Sequence, residues 1–249
     1  MLSWQFYPLT KNSSTSYWRE SRKPIYSFLL SIPLIVFYEI GIFIINSEDL
    51  YELRNGADVL IRNLLESSGI IGIQSSGIIL CIGFIIVLII QRNSVFNTNF
   101  VKDYFPVMVL ESLGWSILLY MSMGVFRISF FGMPTGNVWF AQIVMSLGAG
   151  IYEEIIFRLL LITFISKSLS LIFNWYDFIC YFYGIILSAA LFSVFHFIGV
   201  YGDVPDFPLF MVRFLGGCFL GCLFLVRGFG ITAYTHCIYD LIVVVNQNT

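Results

Sequence analysis

Charge is what this sequence has least of. Lysine and arginine number 13 and aspartate and glutamate 15 in 249 residues, so 11% of the chain is charged. A soluble domain typically carries about 25%. With 58% hydrophobic residues and a mean hydropathy of +0.86, that scarcity excludes a soluble globular protein and a disordered chain. A formal net charge of −2 leaves no basic face for nucleic acid. Cysteine is sparse and odd in number: Cys81, Cys180, Cys218, Cys222 and Cys237 all lie in apolar stretches, with no C-x-x-C. That argues against a disulfide scaffold and for thiols used as small packing groups. No H-E-x-x-H occurs, which rules out a zincin by motif. Long repeats, low-complexity tracts and a soluble domain are also missing.

What is present is long apolar runs, at about 25–46, 69–90, 104–126, 138–163, 177–200, 207–226 and 229–246. Each is close to the roughly 20 residues that cross a bilayer as a helix. The expectation is an all-α polytopic membrane bundle of about seven spans, six to eight. The first run, Ile25 to Asn46, exceeds the roughly 7–15 apolar residues of a signal-peptide core and lacks a small-residue cleavage site, so it reads as an uncleaved span. Residues 47–68 contain RNGADVLIRNLLE, where Val59, Leu60, Leu64 and Leu65 alternate with Arg54, Asp58, Arg62 and Glu66. That pattern predicts an amphipathic helix lying at the interface. Loops are expected at 130–138 (FFGMPTGNV) and 199–207 (GVYGDVPDF).

Lysine and arginine between the spans set the orientation. One side receives Lys11, Arg19, Arg22, Lys23, Arg92, Lys102, Lys167 and Arg227, and the other Arg54, Arg62 and Arg127. The bias favours a cytoplasmic N-terminus. The chain then divides into a cytoplasmic segment 1–24 and a single membrane domain 25–249, whose core is 138–246.

Ionisable groups inside hydrocarbon are costly and face a bundle interior or a cavity. Here Glu39, Glu111, Glu153, Glu154, Arg158, Arg213 and Asp240 fall inside spans, as do the only histidines, His196 and His236. Three clusters form. In Glu153-Glu154-Ile155-Ile156-Phe157-Arg158, residues four apart share a helix face, so Glu154 and Arg158 can pair. Glu153, turned about 100° from Glu154, stays chemically available. The alternative is a buried ion pair with a spare acid. In the second cluster Phe192 and His196 share a face, and the histidine is either hydrogen-bonded structure or a catalyst. In the third, His236 and Asp240 share a face, suited to binding metal, orienting the histidine or satisfying each other. Together a glutamate, two histidines and an aspartate on three helices suit water activation. Glu39 reads as a structural cap at the interface, and Glu111 as a candidate to enter the cavity behind the site. Arg213 is expected to pair with Asp206 or lipid phosphate. Gly217 and Gly221 form a G-x-x-x-G that lets helices approach closely.

In this order the clusters resemble the CAAX-protease and bacteriocin-processing family of intramembrane proteases, also called Abi proteins. The family pattern is E-E-x-x-x-R, then F-x-x-x-H, then H-x-x-x-N or a close variant, matched here by Glu153-Glu154…Arg158, Phe192…His196 and His236…Asp240. There are 37 residues between Arg158 and His196 and 39 between His196 and His236, and the motifs occupy residues 153–240. YEIG at 38–41 and RNGAD at 54–58 also look like bacterial members.

The resemblance implies an all-α bundle that hydrolyses a peptide bond of a membrane-associated protein or peptide. Glu153 and His196 would activate water. His236 and residue 240 would stabilise the oxyanion, and Glu154, Arg158 and Phe192 would hold the geometry. Either a glutamic mechanism without metal or an open zinc site on Glu153, His196 and His236 fits these residue types. Asp240 stands where asparagine is usual. It can donate to an oxyanion only if protonated, and otherwise would orient His236 or ligate metal. The expected setting is a bacterial inner membrane, with the lipid bilayer and a membrane substrate as partners and no nucleic acid. Two rival readings are a non-proteolytic scaffold or bacteriocin-immunity protein with the same fold, and a proton-coupled transporter using the same acids.

Overall fold

The computed structural model describes residues 15–46, 54–67, 101–124, 139–199 and 202–247, together with Ile82, Gly83, Ile85 and Ile89. Among them the chain forms eight helices and no strands: α1 Thr15–Glu20, α2 Pro24–Asn46, α3 Gly56–Ser67, α4 Tyr104–Gly124, α5 Trp139–Phe173, α6 Asp177–Phe195, α7 Phe207–Arg227 and α8 Phe229–Gln247. Six are long and apolar enough to cross a membrane: α2, α4, α5, α6, α7 and α8. They coincide with six of the seven expected spans. Apart from Ile82, Gly83, Ile85 and Ile89, the expected span at 69–90 lies outside the described residues, as does the loop at 130–138. This is an integral membrane protein with an all-helical architecture.

The fourth span departs most from expectation. Instead of ending near residue 163, α5 runs 35 residues, well beyond the roughly 20 that cross a ~30 Å hydrocarbon core. Its middle, Ala149–Ile162, is π-helical. The π form is rare and concentrates at functional positions, and here it carries the whole E-E-x-x-x-R motif. The wider winding also changes the expected 100° between Glu153 and Glu154, because that angle belongs to an α-helix.

Helix α5 is the hub, packing against α2, α3, α6, α7 and α8. The core around it includes Ile35, Tyr38 and Ile42 of α2, Val144, Ile151, Tyr152 and Ile155 of α5, and Phe229, Ala233 and Cys237 of α8. Close approach depends on small residues, since apolar lipid offers no hydrophobic drive to helix pairing. A Cβ on Gly150 would lie 2.7 Å from the Ala233 carbonyl oxygen and 2.7 Å from Cys237 Cβ. The G-x-x-x-G of α7 does what its spacing suggested: Gly217 and Gly221 face Ala189 and Ile185 of α6.

Helix α3 is amphipathic as expected, with Asn63 and Glu66 exposed and Ile61 packed on the core. Its first turn nevertheless sends a charge inward: Asp58 is fully buried, accepting from Tyr38 Oη and pairing with Arg54 and Arg62 at 2.9 Å each.

Candidate active site

The three motifs converge. Glu153 and Glu154 lie on the π-helical turn of α5, His196 immediately follows the last residue of α6, and His236 and Asp240 stand one turn apart on α8. Glu153 is 6% and His236 5% exposed, and Glu154 is fully buried.

Glu153 Oε2 faces both imidazoles, 4.0 Å from His196 Nε2 and 3.9 Å from His236 Nε2. Each ring is held from behind. His196 Nδ1 lies 2.9 Å from the Phe192 carbonyl oxygen. A carbonyl only accepts, so Nδ1 carries the hydrogen and a neutral His196 turns its Nε2 lone pair toward Glu153. His236 Nδ1 lies 2.7 Å from Glu154 Oε1, an oxygen that also faces Arg158 Nη1 at 2.9 Å. Glu154 therefore acts as the acceptor there, and His236 Nε2 is left to face Glu153 and, at 3.6 Å, Asp240 Oδ2. The expected Glu154–Arg158 pair is present. Its link to His236 is additional: Glu154 meets that ring at Nδ1, while Asp240 faces it at Nε2. Phe192 packs on this assembly, with the Arg158 guanidinium 4.4 Å from its ring centroid and the His196 ring 4.8 Å away.

The spacing bears on the metal question. Ligands of a tetrahedral zinc at about 2.0–2.1 Å sit roughly 3.3 Å from one another, closer than the 3.9 and 4.0 Å found here. Among the described residues no group of three histidine, cysteine, aspartate or glutamate side chains is placed to hold a metal ion. As arranged, the donor set does not fit zinc.

Arg227 and Arg213 sit elsewhere than expected, and Glu111, whose place the sequence left open, has its partners outside the site. Glu111 does not enter the cavity behind the site. It pairs with Arg227 Nε and Nη2 and accepts from Tyr17 Oη at 2.6 Å and Trp115 Nε1 at 3.1 Å. Arg227, expected in a loop, is fully buried and also donates to the Trp18 carbonyl and Ser21 Oγ. Burial, and then the neighbouring Glu111 carboxylate, push the Tyr17 phenol up, so it stays a donor. Arg213 pairs with Asp203, while Asp206 caps α7 by accepting from the Leu209 amide at 3.0 Å. A short side chain just ahead of a helix is better placed for its free amides than for a distant arginine. Glu39 is structural as expected, accepting from Tyr152 Oη at 2.9 Å.

One contact lies outside the three ordered motifs, on the RNGAD segment at 54–58: Asn55 Nδ2 donates to Glu153 Oε1 at 2.9 Å, from 98 residues upstream. The sequence marks Asn55 only by that segment's likeness to bacterial members and as a capping residue, Asn-Gly-Ala, ahead of an amphipathic helix.

Fold and site define a helical membrane protein with a buried acid–histidine cluster gathered from α3, α5, α8 and the end of α6. Residues 134–242, a little under half of the chain, match the family model of type II CAAX prenyl endopeptidase Rce1-like proteins, the family that the ordered motifs resemble. Neither a curated protein nor a solved structure matches it.

Proposed function

We propose that the protein is an intramembrane endopeptidase that cleaves a membrane-associated protein or peptide with water activated by Glu153 and His196. The observation that carries this is one carboxylate oxygen, Glu153 Oε2, facing two imidazole nitrogens at 3.9 and 4.0 Å. The gaps are too long for direct hydrogen bonds, but a water 2.8 Å from two such atoms subtends about 90° between them. Glu153 and His196 are the bases for that water, each having an oxygen or a lone pair turned toward it. His236, with both ring nitrogens protonated, and Asp240, when it carries its proton, are the donors for the oxyanion of the tetrahedral intermediate. Glu154 and Arg158 hold His236 from behind. The family match supports a protease.

The lysines and arginines between spans support a cytoplasmic N-terminus, even after Arg227 is withdrawn from the loop cations, and the likeness to bacterial family members supports a bacterial inner membrane. The test compares wild type, Glu153→Ala and His196→Ala in lipid nanodiscs. The probes are a farnesylated peptide ending in a CAAX sequence, its unprenylated twin, and membrane-spanning peptides, each with and without chelator. Cleavage that is lost in both variants and insensitive to chelator is expected. Equal processing by all three proteins refutes the reading, and chelator-sensitive cleavage refutes the metal-free mechanism.

A further inference from the structure

We propose that Asn55 is a positioning residue for the site: its side-chain amide holds one oxygen of Glu153 so that the other faces the two histidines. The inference rests on the peptidase reading above and adds to it a residue outside the matched segment, which begins at 134.

A glutamate's terminal torsion is broad, so burial alone does not set the plane of its carboxylate. In Glu153 a single hydrogen bond does so. Asn55 Nδ2 engages Oε1 at 2.9 Å, and Oε2 then lies almost equidistant from His196 Nε2 and His236 Nε2. The two oxygens turn together about the bond to Cγ, so holding Oε1 on Asn55 also holds Oε2.

The amide is itself held in one orientation. Asn55 Oδ1 accepts from the Ala57 amide at 2.9 Å, capping α3. A flipped amide would set its NH2 against that N–H and its oxygen against a carboxylate, losing two bonds together. The Asn55 backbone N–H donates to Tyr38 Oη at 3.2 Å, and Tyr38 donates to the buried Asp58 that Arg54 and Arg62 flank. The whole N-terminus of α3 is thereby bolted to α2 and delivers Asn55 to Glu153. An amide suits this task because it neither takes up nor releases a proton. Glu153 is oriented and remains the group that exchanges protons with water.

Asn55→Ser tests this. Serine still caps α3 but has no donor that reaches Glu153. With the farnesylated CAAX peptide as probe, kcat is expected to fall roughly 10–100-fold with KM unchanged, the signature of lost geometry rather than lost binding. Wild-type kcat, or a change confined to KM, overturns the proposal. A second measurement does not need turnover. Asn55→Ser and Glu153→Ala, alone and combined, are compared by Tm, and the double variant is expected to lose about 2–4 °C less than the sum of the singles. Additive losses overturn the proposal. Glu153→Ala separates the two readings: cleavage persisting in that variant refutes the peptidase assignment, whereas non-additive Tm losses still support the Asn55–Glu153 coupling.

Discussion

Replacing Gly150 with alanine should disable the site without touching any group that meets substrate. The added Cβ would lie 2.7 Å from the Ala233 carbonyl oxygen and 3.1 Å from the Cys237 amide, both backbone atoms that no rotamer change can move. Ordinary contact begins at 3.4 Å, so α8 must retreat by about 0.7 Å, an overpacking that typically costs about 1–3 kcal/mol. Alanine returns up to ~1 kcal/mol of helix propensity, leaving a net loss of about 0–2 kcal/mol and a modest fall in Tm. Turnover is the sharper readout. His236 precedes Cys237, and the same retreat would stretch its 2.7 Å bond to Glu154 toward about 3.4 Å, past the useful range. Misplacement of this size costs about 10²-fold in rate. The assay is peptide cleavage in nanodiscs with Tm measured in parallel, and Gly216→Ala, where a Cβ meets nothing within 4 Å, is the control for propensity alone. Wild-type kcat in Gly150→Ala would refute the argument that α5–α8 contact sets the position of His236.

Glu154→Gln leaves the buried Arg158 without a counter-charge and should destabilise the fold by about 3–5 kcal/mol, read as a lowered Tm or SDS resistance. Arg227→Ala should cost a similar ~3–5 kcal/mol because Glu111 loses its partner within a buried network, and α1 should become sensitive to limited proteolysis. Replacing both by leucine or methionine should restore most of the loss. Asp240→Asn keeps a side chain able to donate to an oxyanion and should stay within about threefold of wild-type kcat, whereas Asp240→Ala should lose about 10². A large loss in Asp240→Asn, measured by the same cleavage assay, would show that the carboxylate itself is required.

Much of this molecule is local information. The six spans follow from runs of apolar residues, since a helix is the one open structure that satisfies its own backbone in hydrocarbon. Glu154–Arg158 and His236–Asp240 follow from i, i+4 spacing on one helix face. The ordered motifs pointed to the same family whose model matches residues 134–242.

Glu111 marks where local reading stops. An acid in an apolar span must have a partner, but nothing in its neighbourhood says that the partner is Arg227, 116 residues away. The π-helical turn was equally hidden, because hydropathy does not report winding.

From the sequence alone came the solvent, the helices and the residue types able to activate water, because each depends on composition or on neighbours along one helix. The tertiary structure alone decided which residues meet. It set Asn55 on Glu153, turned His236 toward Glu154, and removed Glu111 and Arg227 to a structural clamp. Such contacts depend on how helices pack across the bundle, where small residues such as Gly150 and a change of helical winding determine distances that no sequence spacing carries.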